Sequence, residues 1–263
     1  MNVPSVKLNN NVEIPSIGLG TYSLNDIEIY RAITIGYRHL DTAKHYKNEN
    51  DVGIAVKKSG IEREKFFITT KIMRADLYEG KAKESLDDSL LRLKMDYVDL
   101  YLIHFPPEGI LERAWNDMEK LYESGKVRSI GVSNFSIEDL TTIKNSFSIK
   151  PVINQICSHP YKKNLDIINY CKELGIQSEA YSPLGGNSIS GKILNDENLI
   201  KISVKYNLTV SQLILRWNYE RGIISIPRST NDEHLRQNLN IFNLELSKDD
   251  NEFISNIEER RGL

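Results

Sequence analysis

Residues able to move a proton stand at the ends of successive apolar runs. Asp41 closes "RHLD", Tyr46 follows five residues later, Lys71 closes "FFITTK" and His104 closes "VDLYLIH". A free tyrosine titrates near ~10, and a neighbouring ammonium favours its phenolate. Lys71 beside Tyr46 is therefore expected to lower the tyrosine's pKa. Asp41 would hold the lysine, and His104 would orient a substrate oxygen by a hydrogen bond. Such a set protonates a developing alkoxide. No Ser or Cys has a base spaced to make it a nucleophile, and His39, His45 and His104 do not fall into a metal-ligand spacing. An alkoxide formed from a carbonyl also needs a hydride, which no side chain supplies and a nicotinamide does.

Singly, each residue has a structural reading. Asp41 could cap the following turn, Lys71 could be a rim lysine reaching water, His104 a hydrogen-bonded histidine and Tyr46 loop packing. They become a set only if successive strands deliver them to one rim. The runs "SIGLGT", "RHLDT", "FFITTK", "VDLYLIH", "RSIGVS", "PVINQI", "IQSEAYS" and "IISIPR" are short, apolar and only partly alternating, as strands buried on both faces are. Helix-period stretches separate them. In 80–94 the stripe is Leu86, Leu90, Leu93 and the neighbouring Leu91; in 110–123 it is Leu111, Trp115, Met118 and Leu121 or Tyr122. Gly125 and Gly175 supply left-handed helix ends before the next run. "VKLNNNVEIP" (residues 6–15) reads as a hairpin.

The alternation predicts one (β/α)8 TIM barrel over residues 1–263, with the hairpin at the barrel bottom and the active site at the C-terminal strand ends. A doubly wound open sheet is the second reading. Its glycine fingerprint is incomplete, because "GLGTYS" lacks the third glycine and the next acid lies too close.

The 263 residues carry a formal charge of −2, which leaves no basic field for nucleic acid or an anionic membrane. Cys157 and Cys171 form no CxxC pair and are expected to be reduced thiols. There is no secretion-type apolar segment in "MNVPSVKLNN" and no apolar run of membrane-spanning length. A cytoplasmic monomer acting on a small-molecule carbonyl compound is the expectation.

Six blocks in order resemble the aldo-keto reductases along essentially the whole chain. The first is Gly36-Tyr37-Arg38-His39-Leu40-Asp41-Thr42-Ala43 with Tyr46, Asn48-Glu49 and Gly53; then come "DLYLIHFP", "VRSIGVSNF", "VINQICSHPY", "AYSPLG" and "IPRSTNDEHLRQN". The short loops are similar to those of bacterial-type members of the 2,5-diketogluconate reductase and aldehyde reductase kind. The resemblance implies Tyr46 as proton donor, Lys71 tuning it, Asp41 supporting the lysine and His104 orienting the carbonyl. It also implies an NADPH site, with NADH as a possible substitute. Ser133, Asn134 and Gln155 would hold the nicotinamide amide, and Tyr181 would stack on the ring. Ser182 and Leu184 would lie beside the pyrophosphate, with Gly20, Thr21, Tyr22 and Asp41 along the cofactor. Arg228, Ser229, Thr230 and His234 would face the adenosine 2′-phosphate, and Gln237 and Asn238 the adenine.

Departures from the family pattern carry expectations of their own. His234 stands where arginine is common and gives less to a phosphate, while Arg228 partly compensates with a bidentate fork. Cys157 replaces a glutamate thought to help clamp the cofactor. The "FPPEGILERAW" connection is short and "EERRGL" leaves little C-terminal loop, so an open, permissive cleft is expected. "GGNSISGK" approaches a P-loop but is followed by Ile193 rather than Ser or Thr, and reads better as a loop over a pyrophosphate. Two other functions fit parts of the pattern. An NADPH-binding regulatory or structural barrel with little turnover would need only the cofactor blocks. A barrel isomerase would use "PRST" as a phosphate site.

Overall fold

Parallel strands with apolar residues on both faces need helices outside and a filled interior, and this chain meets both needs by closing its sheet. The computed structural model describes residues 3–257. The hairpin comprises β1 (Ser5–Lys7) and β2 (Glu13–Pro15), antiparallel around Asn11 at φ 70°. Eight parallel strands follow: β3 (Leu19–Gly20), β4 (His39–Asp41), β5 (Phe67–Ile72), β6 (Leu100–Ile103), β7 (Ile130–Ser133), β8 (Ile153–Cys157), β9 (Gln177–Tyr181) and β10 (Ile224–Ser225). They pair in chain order, and β10 returns to the first strand through the Ile17–Ser225 bridge, with Gly18 N donating to Ser225 O at 2.9 Å. The fold is a (β/α)8 barrel, and each of the eight apolar runs supplies one strand.

Strand periodicity sorts the side chains into two layers. One parity, including Leu40, Ile68, Tyr101, Ile103 and Val132, packs outward against Trp115, Met118 and Leu90 of the helices. The other parity turns inward. At the N-terminal end Phe67, Leu100, Leu102, Ile153 and Ile224 form an apolar plug closed from below by Leu8 and Ile14 of the hairpin region. Beside and beyond that plug the inward positions are polar: His39, Asp41, Thr69, Lys71, Gln155 and Glu179, all buried. Gly18 makes room for this layer, since a Cβ there would lie 2.5 Å from the His39 ring.

The helices largely follow the expected stripes. Leu111–Glu123 buries Ala114, Trp115, Met118 and Leu121, and Tyr122 lies at the margin. Ala82–Leu93 buries Leu86, Leu90 and Leu93, but Leu91 is 76% exposed. Leu91 therefore leaves the stripe, because one residue beyond Leu90 is about 100° around the helix. Gly125 (φ 76°) and Gly175 (φ 70°) take the left-handed conformation expected after their helices. The C-terminal "EERRGL" segment, residues 258–263, lies outside the described residues.

Candidate active site

β4 ends on Asp41, and the chain then makes a 3-10 turn, Lys44–Tyr46, that brings Tyr46 back over the barrel mouth. Both flanks of this turn are pinned. Lys44 Nζ donates to both oxygens of Asp76 at 2.9 and 2.8 Å. Asn48 accepts from Thr42 Oγ1 at 2.9 Å and donates to Thr21 O at 2.6 Å, and buried Glu49 accepts from Thr70 Oγ1 at 2.6 Å. The Asn48-Glu49 pair thus serves to hold the tyrosine's loop. Gly53 has an equally physical cause: a Cβ there would fall 2.2 Å from Leu93 O of the neighbouring helix.

Lys71 rises from β5 into the same space. Its ammonium donates to Asp41 Oδ1 at 2.6 Å, to Thr42 O at 2.9 Å and to the Tyr46 hydroxyl at 3.4 Å. It is fully buried, so it is not the water-reaching rim lysine that its type alone allows. His104 follows β6, its ring 5.9 Å from that of Tyr46 and stacked at 4.8 Å on Phe105. The arrangement brings Asp41, Tyr46, Lys71 and His104 together.

Burial governs the electrostatics here. It would pull the Lys71 ammonium down, but the charge of Asp41, with Tyr46 next, more than offsets this and leaves the lysine above its ordinary value. Burial lifts the Asp41 carboxyl, opposed by Lys71 and then Gln155, and the net direction is up. For Tyr46 burial also outweighs the lowering by Lys71, so its pKa is raised. This corrects the expectation of a lowered tyrosine: burial keeps the phenol protonated, and Lys71 only limits the upward shift. His104 is pushed down to about 3 by burial, then by Lys71 and His45, so its imidazole is neutral at ordinary pH.

A cleft of about 660 Å³ leads away from this mouth. Asp41 and Tyr46 border it at the mouth, and Gly20, Tyr22, Tyr181, Ser182, Leu184, Arg228, Ser229, His234, Gln237 and Asn238 also line it, with Arg228 reaching Tyr22 O at 3.4 Å. Gly20 has to be small, as a Cβ would stand 2.8 Å from Ile226 O. The remaining expected cofactor residues do not border the cleft. Thr21 is fully buried and donates to Asp41 O, while Thr230 is exposed beyond it. Ser133 donates to Gln155 O at 3.0 Å, and Asn134 accepts from the Tyr181 hydroxyl at 2.8 Å, forming a polar wall beside the mouth. The Gln155 nitrogen turns inward, to Asp41 at 2.8 Å and Glu179 at 2.6 Å, which leaves only its oxygen for any ligand.

The sequence model of the Aldo/keto reductase family matches residues 17–259. The chain belongs to that family. It is 42% identical to glyoxal reductase of Bacillus subtilis (strain 168), over 98% of this chain and 95% of that protein. The crystal structure of an aldo/keto reductase from Brucella melitensis superposes with a TM-score of 0.91 at 39% identity, covering 97% of this chain and 100% of that one. A Bombyx mori aldo-keto reductase in complex with NADP gives a TM-score of 0.91 at 34% identity, covering 100% of this chain and 95% of that one.

Within this aldo-keto reductase, several site features escape a reading of the sequence. Glu179, buried under the mouth, lies in the quoted "EAYS" run but had no assigned role. Asn187 accepts from Arg228 at 3.2 Å across the cleft, and Thr209, Val210 and Ser211 at the start of the helix Val210–Glu220 line it from the other side. A capped helix start, Thr209 with Gln212, was the available signal for the last group. The glycine-rich "GGNSISGK" stretch is not the loop expected of it. Gly186–Leu194 is a helix entered through Gly185 at φ 92°. Cys157 is partly buried at the end of β8, its thiol pushed up by burial. The β6 connection is as short as expected and enters its helix at Leu111.

Proposed function

We propose that the protein is an NADPH-dependent oxidoreductase that reduces an aldehyde or ketone to an alcohol, with Tyr46 as the proton donor. The observation that carries this reading is Tyr46 set against the buried Asp41–Lys71 pair in a cleft that Arg228 also lines. The residues present fit a dinucleotide phosphate. Gly20 and Gly186 line the cleft where there is no room for a side chain, Gly186 taking φ 59° with its Cβ position 3.0 Å from Ser182 Oγ. Arg228 brings a guanidinium to the cleft, and among the described residues it donates to Asn187 at 3.2 Å and Tyr22 O at 3.4 Å.

Bound NADPH would supply the hydride. Asn134, Ser133 and the oxygen of Gln155 would meet its amide, Tyr181 its ring, Ser182 and Leu184 its pyrophosphate, and Arg228, Ser229 and His234 its 2′-phosphate, with Gln237 and Asn238 at the adenine. The neutral His104 imidazole would donate a hydrogen bond to the carbonyl oxygen and orient it towards Tyr46. Tyr46 then gives its proton to that oxygen, and Lys71, kept charged by Asp41, stabilises the phenolate left behind. The short β6 connection leaves the mouth open, which supports a broad range of carbonyl substrates.

A single-domain, monomeric, cytoplasmic protein completes the reading. Its free cysteines suit a reducing compartment, and the large exposed apolar residues are scattered, with Ile200 and Val204 the two that share a helix. No helix among the described residues is long and apolar enough to cross a membrane. Purified protein mixed with NADPH or NADH and a carbonyl panel, followed by nicotinamide absorbance, tests the activity. Carbonyl-dependent oxidation faster with NADPH is expected. Binding of NADPH without oxidation across the panel would overturn the enzyme and leave a cofactor-binding barrel.

A further inference from the structure

Glu179 lies outside the proton path yet shares a hydrogen-bond donor with it. The amide nitrogen of Gln155 has two hydrogens, and it stands 2.8 Å from Asp41 Oδ2 and 2.6 Å from Glu179 Oε2. One amide on β8 therefore ties a carboxyl of β4 to a carboxyl of β9 across the barrel interior. Both carboxyls are closed to water, Asp41 at 1% and Glu179 at 0% exposure. Two carboxylates sharing a dry site cannot both ionise cheaply. The titratable groups acting on or facing Glu179 are His39 and Asp41 of β4, Lys71 of β5 and Tyr46 from the turn after β4, while β10 presents Ile224 at that level. Lys71 is the one cation among these, and its hydrogen bonds go to Asp41, Thr42 and Tyr46. The other Glu179 oxygen faces His39 Nε2 at 3.5 Å without a hydrogen bond, so ionisation would leave a buried charge held by the Gln155 amide alone.

We propose that Glu179 is a positioning residue for the proton donor: as a neutral acid it holds Gln155 against Asp41, and on losing its proton it weakens Tyr46 as an acid and sets an alkaline limit on carbonyl reduction. The proposal rests on Tyr46 being the proton donor. Burial, with the charge of Asp41 second, pushes the Glu179 carboxyl up to about 8, while His39 is held neutral by burial and Lys71, at about 3. Negative charge on Glu179 acts to raise Tyr46. The sign follows: as pH rises through about 8, Glu179 ionises, Tyr46 parts with its proton less readily and reduction slows.

The test compares kcat/KM for carbonyl reduction between pH 6 and 10 in the wild type and Glu179→Gln, whose amide keeps an acceptor for Gln155 and cannot ionise. The wild-type value is expected to fall roughly tenfold from pH 7 to pH 9.5, with the variant's descent displaced upward by at least about one pH unit. Superimposed profiles would overturn the proposal. A second measurement needs neither turnover nor a folded variant: carbon-13 NMR of the ligand-free wild type carrying labelled glutamate carboxyls. One resonance moving between pH 7 and 9 is expected, and none moving there also overturns it. If that resonance moves but the wild type reduces no carbonyl at any pH, the reductase reading fails and takes the positioning role with it.

Discussion

Lys71 Nζ stands 2.6 Å from Asp41 Oδ1, with neither side chain open to water. Removal of two charges from water is expensive and is tolerated when they are paired and further hydrogen-bonded, as here through Thr42 O and Gln155. The pair keeps a cation permanently under the Tyr46 hydroxyl. A proton donor needs that cation at the moment its own charge appears.

Replacement of Tyr46 by Phe removes the hydroxyl and little else. In the proposed role it lowers kcat by a factor of about 10² to 10⁴, while the affinity for NADPH, read by fluorescence titration, stays near that of the wild type. A variant that turned over at the parental rate would deny Tyr46 the role of acid.

Lys71→Met strands Asp41 as a buried carboxylate with Gln155 as its remaining donor. The expected cost is about 3–5 kcal/mol of stability, measured by urea unfolding at neutral pH. Asp41→Asn added to Lys71→Met recovers part of that stability, because the buried charge is gone, but recovers none of the activity. A double variant no more stable than Lys71→Met would mean the ion pair is not the source of the loss.

Cofactor choice is expected to depend on Arg228 and His234, which line the cleft. Arg228→Gln removes a charge-assisted contact worth about 1.5–3 kcal/mol, so the Kd for NADPH rises roughly 10- to 100-fold while that for NADH changes little. His234→Arg places a planar fork on the same rim and shifts preference further towards NADPH. Equal effects on both cofactors would place the 2′-phosphate elsewhere.

Gly53→Ala is a packing test. In a helix interior alanine is favoured over glycine by about 0.8–1.0 kcal/mol. Here the added Cβ meets backbone at Leu93 O, which cannot swing away. A net destabilisation of about 1–3 kcal/mol is expected, and a gain in melting temperature would show that the two helices part easily.

The strands, the hairpin and the four residues at the mouth were legible in the sequence because each depends on local pattern. A strand buried on both faces must be a short apolar run, and a residue ending such a run in a barrel reaches the functional rim. Asp41, Lys71 and His104 satisfy that rule one strand after another. The Asn48-Glu49 and Gly53 positions were visible as a motif, but their physical causes were not, since the partners Thr21, Thr70 and Leu93 lie on other elements.

What tertiary structure alone decided is how these groups affect one another. The type and spacing of Tyr46 and Lys71 predict a lowered phenol pKa, yet burial reverses the sign. Leu91 sits beside the apolar stripe of its helix but faces solvent, since helical angle rather than residue type sets the buried face. The decisive case is Glu179. Nothing near it in the chain marks it, because its meaning comes from Gln155 on the preceding strand and Asp41 across the barrel interior. Barrel closure carries inward side chains of distant strands into one dry space, and there desolvation, which no sequence spacing encodes, determines which carboxyl keeps its proton.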